Sequence, residues 1–174
     1  MMNTQFSVFE VLQIAEEIEH RAARFCLRAA ERCPDRQRRQ LYYHLTRWRS
    51  KHEQAWIRIR HEYSEKTGQF GTFDPDDYLL SNPQVMAGLT MFGSGRHPSG
   101  RHTGRESRED ILADAIRRSR GVVVFYHGLK EFAGDPESRM MIDAMIGEEG
   151  RHTRLLSGLL DRPRTPSAVA GVPI

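Results

Sequence analysis

Two stretches of this chain repeat each other with a constant separation of 100 residues and without a gap. The identical pairs are Leu12 and Leu112, Ala15 and Ala115, Phe25 and Phe125, Glu31 and Glu131, Asp35 and Asp135, Arg39 and Arg139, and His52 and His152. Asp35 and Asp135 each follow a helix-breaking turn, where each can cap a second helix. The repeated unit is therefore a pair of helices, and we expect the chain to contain two helical hairpins.

Apolar residues within each predicted hairpin recur three and four positions apart, which is the spacing of one helix face. The hairpins are predicted at about residues 7–66 and 107–161, and the short turn inside each makes its two helices antiparallel. Cys26 lies on the apolar face of the first helix, which favours a small buried hydrophobe over a redox thiol.

The linker between the hairpins, residues 67–106, is far longer than the ~2–8 residues usual between helices of a bundle. A long crossover between the second and third helices is typical of ferritin-like bundles. We therefore predict an all-α, ferritin-like four-helix bundle, made of two helical hairpins and one long crossover, as a single domain over residues 1–161. The final stretch, residues 162–174, has no periodicity and is predicted to be a disordered tail.

Composition removes several classes of protein. The chain has 174 residues, 26 Lys plus Arg against 23 Asp plus Glu, and two cysteines. No apolar run approaches the ~18 residues that a membrane span needs, and the start does not resemble a signal peptide, so a cytoplasmic location is expected. Two cysteines cannot supply a four-thiolate metal site or a disulfide framework.

The apolar face of each predicted helix contains at least one polar or small residue, and these residues lie at a similar level along the bundle. These residues are Glu19 on the first helix, Arg49 and His52 on the second, Ser119 on the third, and Glu149 and His152 on the fourth. Residues three apart on a helix share a face, so Glu149 and His152 are expected to point into the bundle together. Nearby acids and histidines fall off the apolar faces and are predicted to lie at the flank or surface: Glu16, Glu17, His20, Glu53 and Glu148.

The fourth-helix sequence GEEGRH, ending at His152, resembles the Glu-x-x-His motif of ferritin-like di-metal carboxylate proteins. The first-helix sequence AEEIEHRAARFCLRAAE is similar to that of the rubrerythrin family, and the resemblance covers roughly residues 7–160. It implies non-haem iron chemistry on peroxide or oxygen, metal ligands at Glu19 and Glu149, and a homodimer. Rubrerythrins also carry a four-cysteine electron-transfer module, which this chain lacks, so an electron donor would be a separate, unknown partner.

The chain departs from the family pattern at two positions. A complete di-metal site takes one Glu from each of two helices and Glu-x-x-His from each of the other two. Here Arg49 stands where the second helix should carry Glu, and Ser119 stands where the third should. Arg49 also cancels one of the two negative charges left by Glu19 and Glu149. Such a site would leave the charge of two divalent ions uncompensated in the core, so the sequence disfavours it.

Two alternatives remain for this site. In the first, one Fe, Mn or Zn ion is held by Glu19, His52, Glu149 and His152 while Arg49 swings aside, and the protein has a redox function. In the second, the bundle binds no metal and has a structural or interaction role. The fork of Arg49 then bridges Glu19 and Glu149, and His52 and His152 complete a buried hydrogen-bonded network. Tyr126 is predicted to lie close to the site in either case.

A Gly-Arg-His repeat lies in the linker and carries a set of basic residues: Arg96, His97, Arg101, His102, Arg105 and Arg108. It could bind a polyanion, or a metal through His97 and His102. No aromatic residues interleave with the repeat to stack on bases, and no DNA-binding helix pattern is evident. A solvated, flexible loop is therefore favoured, and nucleic acid is not an expected partner.

Overall fold

The computed structural model describes residues 8–70, 102–132 and 136–162. These residues form four helices and no strand: α1 (Val8–Arg32), α2 (Arg36–Thr67), α3 (Arg108–Phe132) and α4 (Pro136–Leu160). The prediction of an all-α chain with four helices is thereby confirmed for the described residues. Most of the predicted crossover and nearly all of the predicted tail, as well as Asp135, lie outside the described residues. Within the described ranges, none of the helices is long and apolar enough to cross a membrane.

The helix ends follow the local chemistry of the sequence. Asp35 caps α2, and its carboxylate accepts a hydrogen bond from the backbone N–H of Arg38 at 2.8 Å. Gly68 ends α2 with a φ of 69°, a left-handed conformation that glycine adopts without strain. Ser107 and Asp110 cap the start of α3 reciprocally, each side chain accepting from the other's backbone N–H at 3.0 Å.

Two apolar clusters fill the bundle, one on each side of a polar layer. The first cluster contains Leu12, Ile14, Ala15, Ile18, Ala22, Trp56, Val122, Tyr126, Ile142 and Met145. The second contains Cys26, Ala29, Ala30, Cys33, Tyr42, Leu45, Ile111, Leu112, Ile116 and Leu156. On α2, α3 and α4, the polar residues predicted from the sequence fall between these two sets, and on α1 Glu19 lies between Ile18 and Ala22 of the first cluster. The apolar clusters thus hold a layer of charged and hydroxyl side chains away from water.

His102 corrects one sequence-based expectation. Its imidazole receives a short hydrogen bond from the Tyr42 hydroxyl at Nδ1, and its Nε2 lies 2.8 Å from Asp114 Oδ2. The ring also packs edge-on against Phe25, with centroids 5.1 Å apart. His102 is therefore neither solvated nor free to ligate a metal, because both ring nitrogens are already bonded. His97 and the rest of the repeat up to residue 101 lie outside the described residues.

The chain that enters α3 is pinned to the first hairpin. Arg118 donates to Asp114 at 2.7 Å and lies over the Phe25 ring at 4.1 Å. Arg38 donates to the backbone carbonyl of Glu106 at 2.6 Å. Gly104 has a φ of 84° and approaches Arg32 so closely that a Cβ there would collide with the Arg32 carbonyl. These contacts tie α1, α2 and α3 together at one end of the bundle.

Candidate functional site

The six polar residues that the sequence placed on the apolar helix faces are all buried. Glu19, Ser119 and Glu149 have no exposed surface, and the exposed fractions of His152, Arg49 and His52 are 2%, 5% and 5%. They come from all four helices. Burial of several charged groups costs free energy unless each finds a partner, so their mutual geometry decides what the site can do.

Arg49 connects its own helix, α2, to each of the other three helices. Its Nη1 donates to Glu149 Oε1 at 2.6 Å and to Glu19 Oε2 at 3.2 Å. Its Nη2 donates to Ser119 Oγ at 2.8 Å. The guanidinium therefore lies between the two carboxylates that the sequence predicted as metal ligands, with Ser119 accepting from its second nitrogen. The Arg49 bridge that the second alternative predicted is thus present. The hydrogen-bonded histidine network is not, because His52 Nδ1 and both ring nitrogens of His152 have no hydrogen-bond partner among the described residues.

Tyr126 completes the contacts of Glu19. Its hydroxyl donates to Glu19 Oε1 at 3.0 Å. Burial and the carboxylates of Glu19 and Glu149 raise the pKa of Tyr126 well above its ordinary value, so the phenol keeps its proton and remains a donor. The structure therefore places Tyr126, which the sequence analysis named as a neighbour of the predicted site, against Glu19.

His52 supplies the second positive charge. Its Nδ1 lies 3.3 Å from Glu149 Oε1 and 3.8 Å from Glu19 Oε1, and both distances are short enough for an ion pair. Neither contact is a hydrogen bond, because the first is poorly aligned and the second is too long. Burial lowers the pKa of His52, but the two carboxylates outweigh burial and raise it to about 9. His52 is therefore protonated at neutral pH.

The charges in the layer balance. Burial alone would raise the pKa of Glu149, but Arg49 and His52 overcome that effect and hold it at about 2. The charges of Glu149 and Glu19 are matched by those of Arg49 and His52, two negative against two positive. Burial works against the charge of Arg49, yet the two carboxylates raise its pKa further. A balanced set of this kind avoids the large cost of an unpaired buried charge.

His152 stands apart from this ion network. Its ring stacks on Trp48 with centroids 4.0 Å apart and an interplanar angle of 15°. Burial and the nearby Arg49 charge lower the pKa of His152 to about 3, so the ring is neutral. Neither ring nitrogen has a hydrogen-bond partner among the described residues, and the same holds for Glu149 Oε2 and Trp48 Nε1. The stacking on Trp48 was not anticipated, because sequence spacing predicted only that Trp48 belongs to the core.

A buried group of three residues could hold a metal ion: Glu19, His52 and Glu149. Each offers one ligand atom, and these atoms lie within 4.8 Å of one another. His152, the fourth predicted ligand, is not part of this group within the described residues. A di-metal centre does not fit, because two carboxylates and the fixed charge of Arg49 cannot compensate two divalent ions. The donor set suits at most one ion, which would compete with Arg49 for both carboxylates.

The flanking acids and histidines form ion pairs around the layer, as their predicted positions imply. His20 Nδ1 lies 2.8 Å from Glu53 Oε1, and Arg60 donates to Glu16 at 2.7 Å. Both pairs join α1 to α2 at partly exposed positions. The one-residue ambiguity over which acid of each helix faces the interior is resolved by burial in favour of Glu19 and Glu149.

Cys26 belongs to the second apolar cluster. Burial raises the pKa of its thiol to about 11, only partly opposed by the charge of Arg49. The thiol is therefore protonated, as expected for a small buried hydrophobe.

No protein-family model matches this chain, and comparisons with curated proteins and with solved structures likewise found no match. The resemblance to rubrerythrins therefore rests on the residues of the four helices.

Proposed function

We propose that this protein is a ferritin-like bundle, related to rubrerythrins, in which Arg49 has replaced the metal and the bundle has a structural or interaction role. The observation that carries the proposal is the position of the Arg49 guanidinium, which lies 2.6 Å from Glu149 and 3.2 Å from Glu19. Those two carboxylates are the ones that the family pattern would assign to metal.

Arg49 can hold carboxylates from several helices together, as a metal ion does, but it cannot coordinate a substrate or transfer electrons. A divalent ion in such a bundle attracts carboxylates from several helices and so sets how the helices pack. The guanidinium attracts the same carboxylates through directed hydrogen bonds, and it cannot release its proton. It offers no vacant coordination position and no electron, which supports a role in specifying the core and not in redox catalysis.

The ion network also favours one arrangement of the helices over others. A shift of α2 by one turn, about 5.4 Å, would carry Arg49 away from Glu19 and Glu149 and leave buried charges unpaired. The cost of such unpaired charges is several kcal/mol, whereas an apolar layer would tolerate the shift more easily. A bundle with a uniquely specified core is suited to present fixed surfaces to a partner.

Metal analysis tests this proposal. Purified protein incubated with Fe²⁺, Mn²⁺ or Zn²⁺ and then desalted should retain far less than one ion per chain, and its melting temperature should not change. Retention of about one ion per chain that disappears in Glu149→Gln and persists in Glu148→Gln would overturn the proposal. Glu148 is the matched control because it is the adjacent acid on α4, half-buried and paired with Arg151.

A single metal ion is the second candidate, and a specific observation favours it. The ligand atoms of Glu19, His52 and Glu149 lie within 4.8 Å of one another, and Glu149 Oε2 has no hydrogen-bond partner among the described residues. These three residues would hold the ion, after His52 releases its proton and Arg49 moves aside. A bound iron would supply redox chemistry toward peroxide or oxygen. The same metal measurement decides between the two candidates.

A further inference from the structure

The exposed face of α2 carries a continuous row of basic and amide side chains. All exposed residues of α2 from position 36 to position 61 belong to this set, which we name the basic row: Arg36, Gln37, Gln40, His44, Arg47, Lys51, Gln54, Arg58 and His61. Apart from Gln37, they are spaced three or four apart, so they follow one line along the helix. Within these bounds the row contains no acid and no apolar residue. Beyond it the exposed face of α2 continues with Glu62 and Glu65, and Glu65 lies 3.7 Å from His61.

The four permanent cations of the row are not neutralised by neighbouring carboxylates. Arg36, Arg47, Lys51 and Arg58 have no ion-pair partner within the described parts of the chain. Some other surface cations are compensated: Arg60 lies 2.7 Å from Glu16, and Lys130 lies 2.6 Å from Asp143. The exposed Arg24, Arg28 and Arg32 of α1 also have no ion-pair partner among the described residues. What distinguishes the row is that its four uncompensated cations follow one line over most of the length of α2.

The spacing of the cations suits a particular polyanion. Arg36 and Arg58 are 22 residues apart, which at a rise of 1.5 Å per residue places them about 33 Å from each other along the helix. The backbone of one strand of a nucleic acid duplex recurs about every 34 Å along the duplex axis. Arg47 and Lys51 lie between these ends, at a position to meet the opposite strand.

We propose that the basic row binds the phosphate backbone of double-stranded nucleic acid. The glutamines and histidines between the cations add uncharged hydrogen-bond donors, which phosphate and sugar contacts commonly use. A membrane surface is less suited, because peripheral helices bind lipid with an apolar face and the row has none. This proposal departs from the sequence-based expectation that nucleic acid is not a partner of this protein. The row could not be read as one cluster in the sequence, because helical spacing on α2 assembles it from separated positions.

Binding by the basic row should be independent of base sequence and should weaken steeply with salt. The row lies on a straight helix and can contact the phosphate backbone of the duplex, but it has no known arrangement for contacting base edges. The affinity therefore comes from charge. With about four phosphates neutralised, the logarithm of the association constant should fall with the logarithm of salt concentration with a slope of about −3 to −4. This corresponds to a loss of affinity on the order of 100-fold between 50 and 200 mM salt.

Fluorescence anisotropy with a labelled mixed-sequence duplex of about two helical turns tests the inference. The row variant replaces Arg36, Arg47, Lys51 and Arg58 with Gln, which preserves helix propensity. The control variant replaces Arg120, Lys130, Arg139 and Arg151 with Gln, removing the same charge from α3 and α4. The row variant should bind on the order of 100-fold more weakly at 50 mM salt and lose most of the salt slope, while the control changes little.

Three outcomes would overturn the inference. They are the absence of duplex binding by the unaltered protein at 50 mM salt, equal losses in the row and control variants, and binding to anionic phosphatidylserine vesicles without binding to the duplex. Circular dichroism of both variants verifies that α2 still forms. The inference does not rest on the Arg49 network, because the row faces solvent. Either result of the metal measurement is compatible with duplex binding by the row.

Discussion

Arg49 Nη1 donates a hydrogen bond to Glu149 Oε1 at 2.6 Å, and these two residues occupy equivalent positions of the two repeated hairpins. Two positions that the internal repeat makes equivalent thus carry opposite charges. Two carboxylates at these positions would repel each other, whereas Arg49 and Glu149 form a charge-assisted hydrogen bond.

Removal of the guanidinium should destabilise the bundle. Arg49→Met leaves Glu19 and Glu149 buried beside His52 alone, so the free energy of unfolding should fall by about 3–5 kcal/mol. Arg47→Met, at an exposed position of the same helix, should change it by no more than about 0.5 kcal/mol. Urea denaturation followed by circular dichroism measures both variants.

Neutralising the carboxylates should recover part of that loss. Arg49→Met combined with Glu19→Gln and Glu149→Gln removes the unpaired charges, so this triple variant should be more stable than Arg49→Met alone. A loss below about 1 kcal/mol for Arg49→Met would show that the ion network contributes little to the fold.

His52 should make stability decline at alkaline pH. Its pKa is about 9 in the folded protein against 6.5 for an unperturbed histidine. The stabilisation is therefore complete below about pH 6.5 and is lost as the pH rises through 9, by roughly 3 kcal/mol in total. The groups that face its ring are Glu19 from α1, Glu149 and His152 from α4, and Arg49 on its own helix.

Urea denaturation between pH 6 and pH 10 measures this decline. His52→Gln should flatten the slope in this range, whereas His44→Gln, at an exposed position of α2, should leave it intact. Equal slopes in the unaltered protein and in His52→Gln would refute the proposed protonation of His52.

Restoring the two missing carboxylates should create metal affinity. Arg49→Glu with Ser119→Glu would place four carboxylates in the layer, so the apo variant should be unstable and Mn²⁺ or Zn²⁺ should raise its melting temperature. Arg47→Glu with Gln54→Glu makes the same change in net charge on the exposed face of α2 and serves as control. Differential scanning fluorimetry with and without metal reports the shift, and an equal shift in the control would contradict a specific site.

The buried contacts of His102 should contribute to stability. His102→Ala leaves the Tyr42 hydroxyl and Asp114 without this partner, which should lower the free energy of unfolding by about 1–3 kcal/mol. His61→Ala, at an exposed position of α2, should change it by less than about 0.5 kcal/mol. If the two variants unfold at the same urea concentration, the contacts of His102 carry no stability.

Helix propensity and periodicity were enough to predict the four helices and the residues of the polar layer. Asp35 caps α2 because its carboxylate bonds to a backbone N–H three residues away, which is a local interaction. The burial of Glu19 and Glu149 followed from their places on apolar faces, since residues three or four apart share one face of a helix. The 100-residue repeat also indicated, from the sequence alone, which positions of the two hairpins are equivalent.

The tertiary structure alone decided how these side chains meet. Periodicity reports which face of a helix is buried but not the rotation and separation of neighbouring helices, so it could not choose between Arg49 bridging the carboxylates and Arg49 swung aside. For the same reason it could not foresee His152 stacked on Trp48, or His102 buried against Tyr42 and Asp114. These contacts join residues far apart in the sequence, and long side chains reach one another only after the helices have packed.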